Sequence, residues 1–132
     1  GMVDRFYRTY KWTARQCADR FGEDQITPKM REALAAALRA EWEAELAGMR
    51  DRIRAMRTGL VEQLAARKVD QDFSFVIKQR GMFSYTGLTA DQVDVLRDKY
   101  GIYAVSTGRI CLAALNDKNI DAVADAIAAV VA

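Results

Sequence analysis

The sequence has no histidine. That absence removes every Ser-His or Cys-His nucleophile pair, every His-ligated metal site and the usual near-neutral general base. Cysteine is scarce: Cys17 and Cys111 are too few for a tetrahedral thiolate site or a disulfide framework, and they point to a reducing cytoplasm. Proline occurs once, at Pro28, and glycine eight times, so no collagenous or disordered bias is present. No stretch approaches the roughly 18 consecutive apolar residues of a membrane span, and residues 1–26 do not read as a signal peptide; neither a leader nor a membrane partner is expected. Gly1-Met2 reads as a tag-cleavage scar before a native start, which would make the chain a complete reading frame.

Charge of one sign is also lacking. Twenty basic residues against eighteen acidic leave +2 over 132 residues. The excess is local, since residues 1–20 hold five basic and two acidic groups. There Phe6, Tyr7, Tyr10 and Trp12 are interleaved with Arg5, Arg8, Lys11 and Arg15. Such a mixture suits stacking on single-stranded nucleic acid. A surplus of three charges is a weak field, however, and an amphipathic segment that buries its rings is the better reading; no nucleic-acid partner is expected. Residues 1–26 are left unassigned, with a break at Phe21-Gly22.

Thr27-Pro28 opens the strongest local signal, an N-cap followed by proline at the first helical position. Leu34, Leu38, Trp42, Leu46, Met49, Ile53, Met56, Leu60 and Leu64 then recur at spacings of four and three. Residues 27–68 are therefore assigned to one long linking helix, about 28 to 67 at its core and roughly 60 Å long at ~1.5 Å per residue. Such a rod exceeds what its own domain needs and is expected to bridge or to pair with a partner. Arg50, Arg52, Arg54 and Arg57 point around the helix among Glu41, Glu43, Glu45 and Asp51, so they are expected to form a solvated face.

Residues 69–132 read as a small α+β domain. Strands are expected over 73–77, 82–85, 102–105 and 110–113. Thr89-Ala90-Asp91-Gln92 is a capping box with Gly101 as the helix stop, and Asn116 is the expected cap of a last helix carrying Ile120, Val123, Ile127 and Val130. The expected class is α+β, a long N-terminal helix followed by a small β-sheet layer packed with helices. Asp117, Asp121 and Asp125 share one face of the last helix and are read as a solvated stripe, with no metal site. Arg109 stands out because it follows Gly108 between β-like runs whose positions 110 and 112 should point inward. A guanidinium there either meets a surface carboxylate, the commoner fate, or grips a small acid bidentately.

The segment Asp72-Phe73-Ser74-Phe75-Val76-Ile77-Lys78-Gln79-Arg80-Gly81-Met82-Phe83-Ser84-Tyr85-Thr86-Gly87-Leu88 resembles the small domain of the aspartate/aromatic aminotransferases, class I pyridoxal-phosphate enzymes. So does Tyr100-Gly101-Ile102-Tyr103-Ala104-Val105-Ser106-Thr107-Gly108-Arg109-Ile110. The resemblance runs from about Ala35 to the C-terminus. It implies that Arg109 binds a substrate α-carboxylate and that Phe83 lies beside the bound substrate. Cys111, where the aspartate branch often has Asn, leans toward the aromatic branch. The resemblance also implies that the Schiff-base lysine, the pyridine-pairing aspartate and the phosphate-binding loop belong to a large domain with no counterpart here. None of Lys11, Lys29, Lys68, Lys78, Lys99 and Lys118 sits in that lysine motif.

Two functions are therefore carried forward. One is the C-terminal domain of an aspartate/aromatic aminotransferase, as a fragment or truncated product. It would bind no cofactor by itself and be catalytically incomplete, with pyridoxal 5'-phosphate and substrate entering only in the full-length context. The other is a non-catalytic oligomeric interaction module derived from that domain. Both expect a homodimer or higher homo-oligomer through the long helix.

Overall fold

The structure, a computed structural model, describes residues 12–132. Phe6, Tyr7, Tyr10, Arg5, Arg8 and Lys11, on which the nucleic-acid reading rested, lie outside the described residues. The chain divides into two compact units, Gly1–Gly48 and Met49–Ala132.

In the first unit, helix α1 (Ala14–Phe21) begins at a capping box: the Gln16 backbone N–H donates to Thr13 Oγ1 at 3.3 Å, and the Thr13 N–H donates to Gln16 Oε1 at 2.8 Å. Gly22, at φ +98°, ends it. Thr27 Oγ1 then accepts from the Met30 N–H at 3.2 Å and Pro28 takes the first helical position of α2 (Pro28–Ala66), the long helix expected from the periodicity. The helix has 39 residues. Cys17, Ala18, Ile26 and Leu34 form this unit's core, with Trp12 and Phe21 packed against it at 6.4 Å between ring centroids. Burial pushes the Cys17 thiol pKa up, which keeps it protonated and unreactive.

In the second unit, Leu60 and Leu64 of α2 share one core with Phe73, Val76, Val93 and Leu96, and with Leu112 and Ile127. Strands β1 (Phe83–Tyr85) and β2 (Arg109–Cys111) pair antiparallel, with Phe83 opposite Cys111, Ser84 opposite Ile110 and Tyr85 opposite Arg109. Helices α3 (Ala90–Tyr100) and α4 (Ile120–Val131) pack on each other and complete an α+β fold. The Thr89–Gln92 capping box forms as expected, and Gly101 adopts the left-handed conformation at φ +65°.

Two of the four expected strands are absent. Residues Ser74–Lys78 form 3₁₀ turns instead, because Asp72 accepts from both the Ser74 backbone N–H (2.8 Å) and Ser74 Oγ (2.9 Å), which folds the chain back locally. Phe73 and Val76, three apart, then go inside, a turn spacing rather than a strand alternation. Residues 102–105 are drawn back to α3 by the Ile102 N–H donating to the Leu96 carbonyl at 3.0 Å, so only an isolated bridge from Val105 to Arg109 remains. The last helix has Asn119, not Asn116, at its N-cap position. Asn116 instead closes the preceding turn, its Oδ1 accepting from the Lys118 and Asn119 N–H groups.

Candidate functional site

Side-chain alternation gives the β1–β2 pair two faces. Ser84 and Ile110 point into the core, and Leu112 follows them inward, as the sequence predicted for positions 110 and 112. Phe83, Tyr85, Cys111 and Arg109 take the opposite face, with Phe83 and Tyr85 about half exposed and Cys111 partly covered.

The approach to Arg109 is held by its neighbours. Gly108 has φ +83°, and a Cβ there would stand 2.7 Å from the Leu88 carbonyl oxygen, so no other residue fits without displacing backbone. The Gly108 carbonyl accepts from the Thr86 N–H at 2.9 Å and from Thr86 Oγ1 at 2.6 Å. Thr86 is buried, and its Oγ1 accepts in turn from the Leu88 N–H at 3.3 Å. From this support the Arg109 side chain lies over the Phe83 ring, its guanidinium carbon 5.0 Å from the ring centroid. Among the described residues no carboxylate forms a salt bridge with it, so the commoner fate weighed for this arginine is not the one adopted. An exposed cation stacked on an aromatic face keeps its donor fork open toward solvent, where a small carboxylate would meet it.

Of the four helix arginines, Arg50, Arg52 and Arg54 are exposed as expected, with Arg54 3.5 Å from Asp51, whereas the fourth is not. Arg57 is 5% exposed. Its Nη1 donates to the Gln79 carbonyl at 2.5 Å, and its Nη2 to the Gly81 carbonyl at 2.6 Å and, more weakly, the Phe83 carbonyl at 3.5 Å. Burial presses its pKa below the usual guanidinium value, and three carbonyl oxygens stand against the charge it retains. Arg52 donates to the carbonyls of Leu115 (2.8 Å) and Ala113 (2.7 Å), just beyond β2. The signal for Arg57 was available: it lies four residues after Ile53, three before Leu60 and seven before Leu64, on the apolar stripe itself. Asp121 and Asp125 are exposed, as expected, and also meet a cation. Arg67 Nε donates to Asp125 at 2.6 Å and its Nη2 lies 3.8 Å from Asp121. Among the described residues no His, Cys, Asp and Glu group is arranged to hold a metal ion.

Comparison with known proteins places these residues in a larger setting. A family model described as aminotransferase class I and II matches residues 16–127, reaching further toward the N-terminus than the resemblance read from Ala35. An aspartate aminotransferase of Pseudomonas aeruginosa is 66% identical over 90 residues, which is 68% of this chain and 23% of that relative. An aromatic-amino-acid aminotransferase of Escherichia coli is 51% identical over 94 residues, 71% of this chain and 24% of the relative. Among solved structures, an aromatic-amino-acid aminotransferase from Burkholderia pseudomallei, described as covalently bound to pyridoxal phosphate, superimposes with a TM-score of 0.71 at 56% identity. The match covers 89% of this chain and 30% of that one. The chain thus spans about a quarter of the length of the curated relatives it matches.

Proposed function

The chain belongs to the class I and II aminotransferase family, on its aspartate/aromatic side, and from that premise we propose that it is the C-terminal small domain of an aspartate/aromatic amino acid aminotransferase. Its contribution is to hold the α-carboxylate of an amino acid or 2-oxo acid. Arg109 is the residue that binds, and Phe83 lies beside the substrate. The observation that carries this reading is the Arg109 guanidinium, without a carboxylate partner among the described residues and stacked at 5.0 Å on the Phe83 ring. The ring supports the guanidinium from one side, and a planar fork of donors matches a carboxylate with two parallel hydrogen bonds. The ring also excludes water from one side of the ion pair, which strengthens it.

Pyridoxal phosphate supplies the electron sink of transamination when bound by such enzymes, and it needs a lysine amine in a shielded site. Lys29, Lys68, Lys78, Lys99 and Lys118 are all exposed. The described residues therefore do not fit the cofactor by themselves, and in this reading it is held by parts of the full-length enzyme outside this chain. Catalysis is accordingly not assigned to this chain alone, and the setting is the cytoplasm, consistent with two free cysteines.

A second reading, a non-catalytic interaction module, is favoured by one observation. Trp42, Leu46 and Met49, at spacings of four and three on α2, are 60%, 37% and 56% exposed. In both readings this stripe is where a second copy packs to form a homo-oligomer. A graft separates the two readings: the matched 90 residues of the Pseudomonas aeruginosa aspartate aminotransferase are replaced by those of this chain. A transaminating graft supports the enzyme-domain reading, and a folded but inactive one supports the module.

A further inference from the structure

The β1–β2 sheet has only two strands, and β1 therefore has an outer edge to satisfy. Backbone groups along an antiparallel strand alternate between its two sides. The Met82 carbonyl accepts from the Leu112 N–H at 2.7 Å and the Thr86 N–H donates to the Gly108 carbonyl at 2.9 Å, so the even-numbered groups face β2. The odd-numbered groups face away from it. Two side chains meet them there. Gln79 Oε1 accepts from the Tyr85 N–H at 2.7 Å while Gln79 Nε2 donates to the Tyr85 carbonyl at 2.9 Å, the pattern of a neighbouring strand. The Arg57 guanidinium takes the carbonyls of Gln79, Gly81 and, at the limit of bonding distance, Phe83.

We infer that Arg57 is a positioning residue for the carboxylate site: its buried guanidinium gathers the alternate carbonyls of residues 79, 81 and 83 and thereby sets where Phe83 presents its ring to Arg109. This deepens, and rests on, the reading of Arg109 and Phe83 as that site. The geometry explains three features that a packing role leaves unaccounted for. A charged side chain occupies the apolar stripe of α2, although an apolar residue would fill that place at less desolvation cost. The bonds go to backbone carbonyls at alternating positions, so they fix the path of the chain rather than one side chain. Gly81 has φ +85° with open space around its Cβ position, so glycine serves there to turn a carbonyl inward and not to relieve crowding. Gln79 extends the same restraint, since its carbonyl is held by Arg57 while its amide holds Tyr85, the residue opposite Arg109.

The test uses NMR on the 132-residue chain and does not depend on transamination. The Phe83 ring current should shift the Arg109 side-chain protons upfield, and Phe83→Leu defines the value without the ring. In Arg57→Lys, a point ammonium cannot hold the Gln79 and Gly81 carbonyls in the same fork, and most of the Arg109 shift should vanish while α3 and α4 stay folded. Arg67→Lys, which loosens α4 through Asp121 and Asp125, is the control for general destabilisation and should leave the shift in place. An Arg109 shift that survives in Arg57→Lys, or falls equally in Arg67→Lys, overturns the inference. Should Arg57→Lys not fold, the wild-type chain decides. Separate, slowly exchanging Arg57 Nη–H signals coupled to the Gln79 and Gly81 carbonyls uphold the inference, and one rotationally averaged signal overturns it. Failure of the carboxylate reading is a different result, namely an Arg109 substitution in the active graft that costs no catalytic efficiency.

Discussion

The Arg109 guanidinium lies 5.0 Å from the Phe83 ring centroid, along the diagonal of a strand pair in which Phe83 faces Cys111 and Arg109 faces Tyr85. That contact is presented by a support two residues deep, Thr86 and Leu88 closing on Gly108, and the support is where substitutions should be felt most.

Gly108→Ala should destabilise the second unit by on the order of 3 kcal/mol, because it combines a Cβ placed 2.7 Å from the Leu88 oxygen with a φ of +83°. Gly48→Ala should do the opposite. Its Cβ would meet nothing within 4 Å, it sits inside α2, and alanine there should stabilise by up to about 1 kcal/mol. Urea denaturation of the two variants checks the signs.

Neighbouring hydroxyls in β1 and the turn after it should also behave in opposite ways. Ser84 Oγ is buried without a protein partner, so Ser84→Ala should be neutral or stabilising by under about 1 kcal/mol. Thr86 Oγ1 donates to the Gly108 carbonyl and accepts from the Leu88 N–H, so Thr86→Val strands the Leu88 N–H and leaves the Gly108 carbonyl with the Thr86 N–H alone, and should cost about 1–3 kcal/mol. Thermal unfolding that ranks them in the reverse order contradicts this hydrogen-bond assignment.

Asp72 carries the acid dependence of the turn that replaced an expected strand. Hydrogen bonds from the Ser74 backbone and then the Ser74 hydroxyl, with the Lys78 charge nearby, hold its pKa below the ordinary aspartate value. The folded pKa is the lower one, so the stabilisation is fully present above the unfolded value of about 3.9 and is lost as pH falls through the folded value. Asp72→Asn should flatten that part of the stability–pH curve. Titration of the Asp72 carboxyl by NMR checks the direction.

Trp42→Glu should weaken self-association while leaving the second unit folded, since it places a charge in the Trp42, Leu46, Met49 stripe. Light scattering at high concentration measures it. A wild-type chain that stays monomeric, or a variant with unchanged assembly, contradicts the packing of a second copy on this stripe.

Much of the fold was legible because its signals are local. The Thr27-Pro28 start, the four-and-three spacing of α2 and the Thr89–Gln92 box are contained in a few residues each, and all appear as read. The Thr13–Gln16 box was equally local but was obscured by the aromatic and basic residues around it. The two extra strands were not legible in composition, because Phe, Val and Ile fit a buried turn as well as a pleat, and Asp72 with its hydrogen bonds to Ser74 decided between them. Arg109 was legible through its position after Gly108 and through a familiar motif. Arg57 was legible only through its exact phase against Ile53 and Leu60, because a run of arginines on a helix usually points to water.

The central claim is that Arg109 grips the substrate carboxylate of an aminotransferase. The most direct measurement is kcat/KM of the Pseudomonas aeruginosa graft carrying this chain's matched residues, compared with the same graft bearing Arg109→Lys. Losing a bidentate charge-assisted pair at a desolvated site costs about 2–5 kcal/mol, so the account predicts a fall of roughly 30- to 4,000-fold. Equal efficiencies in the two grafts would contradict it.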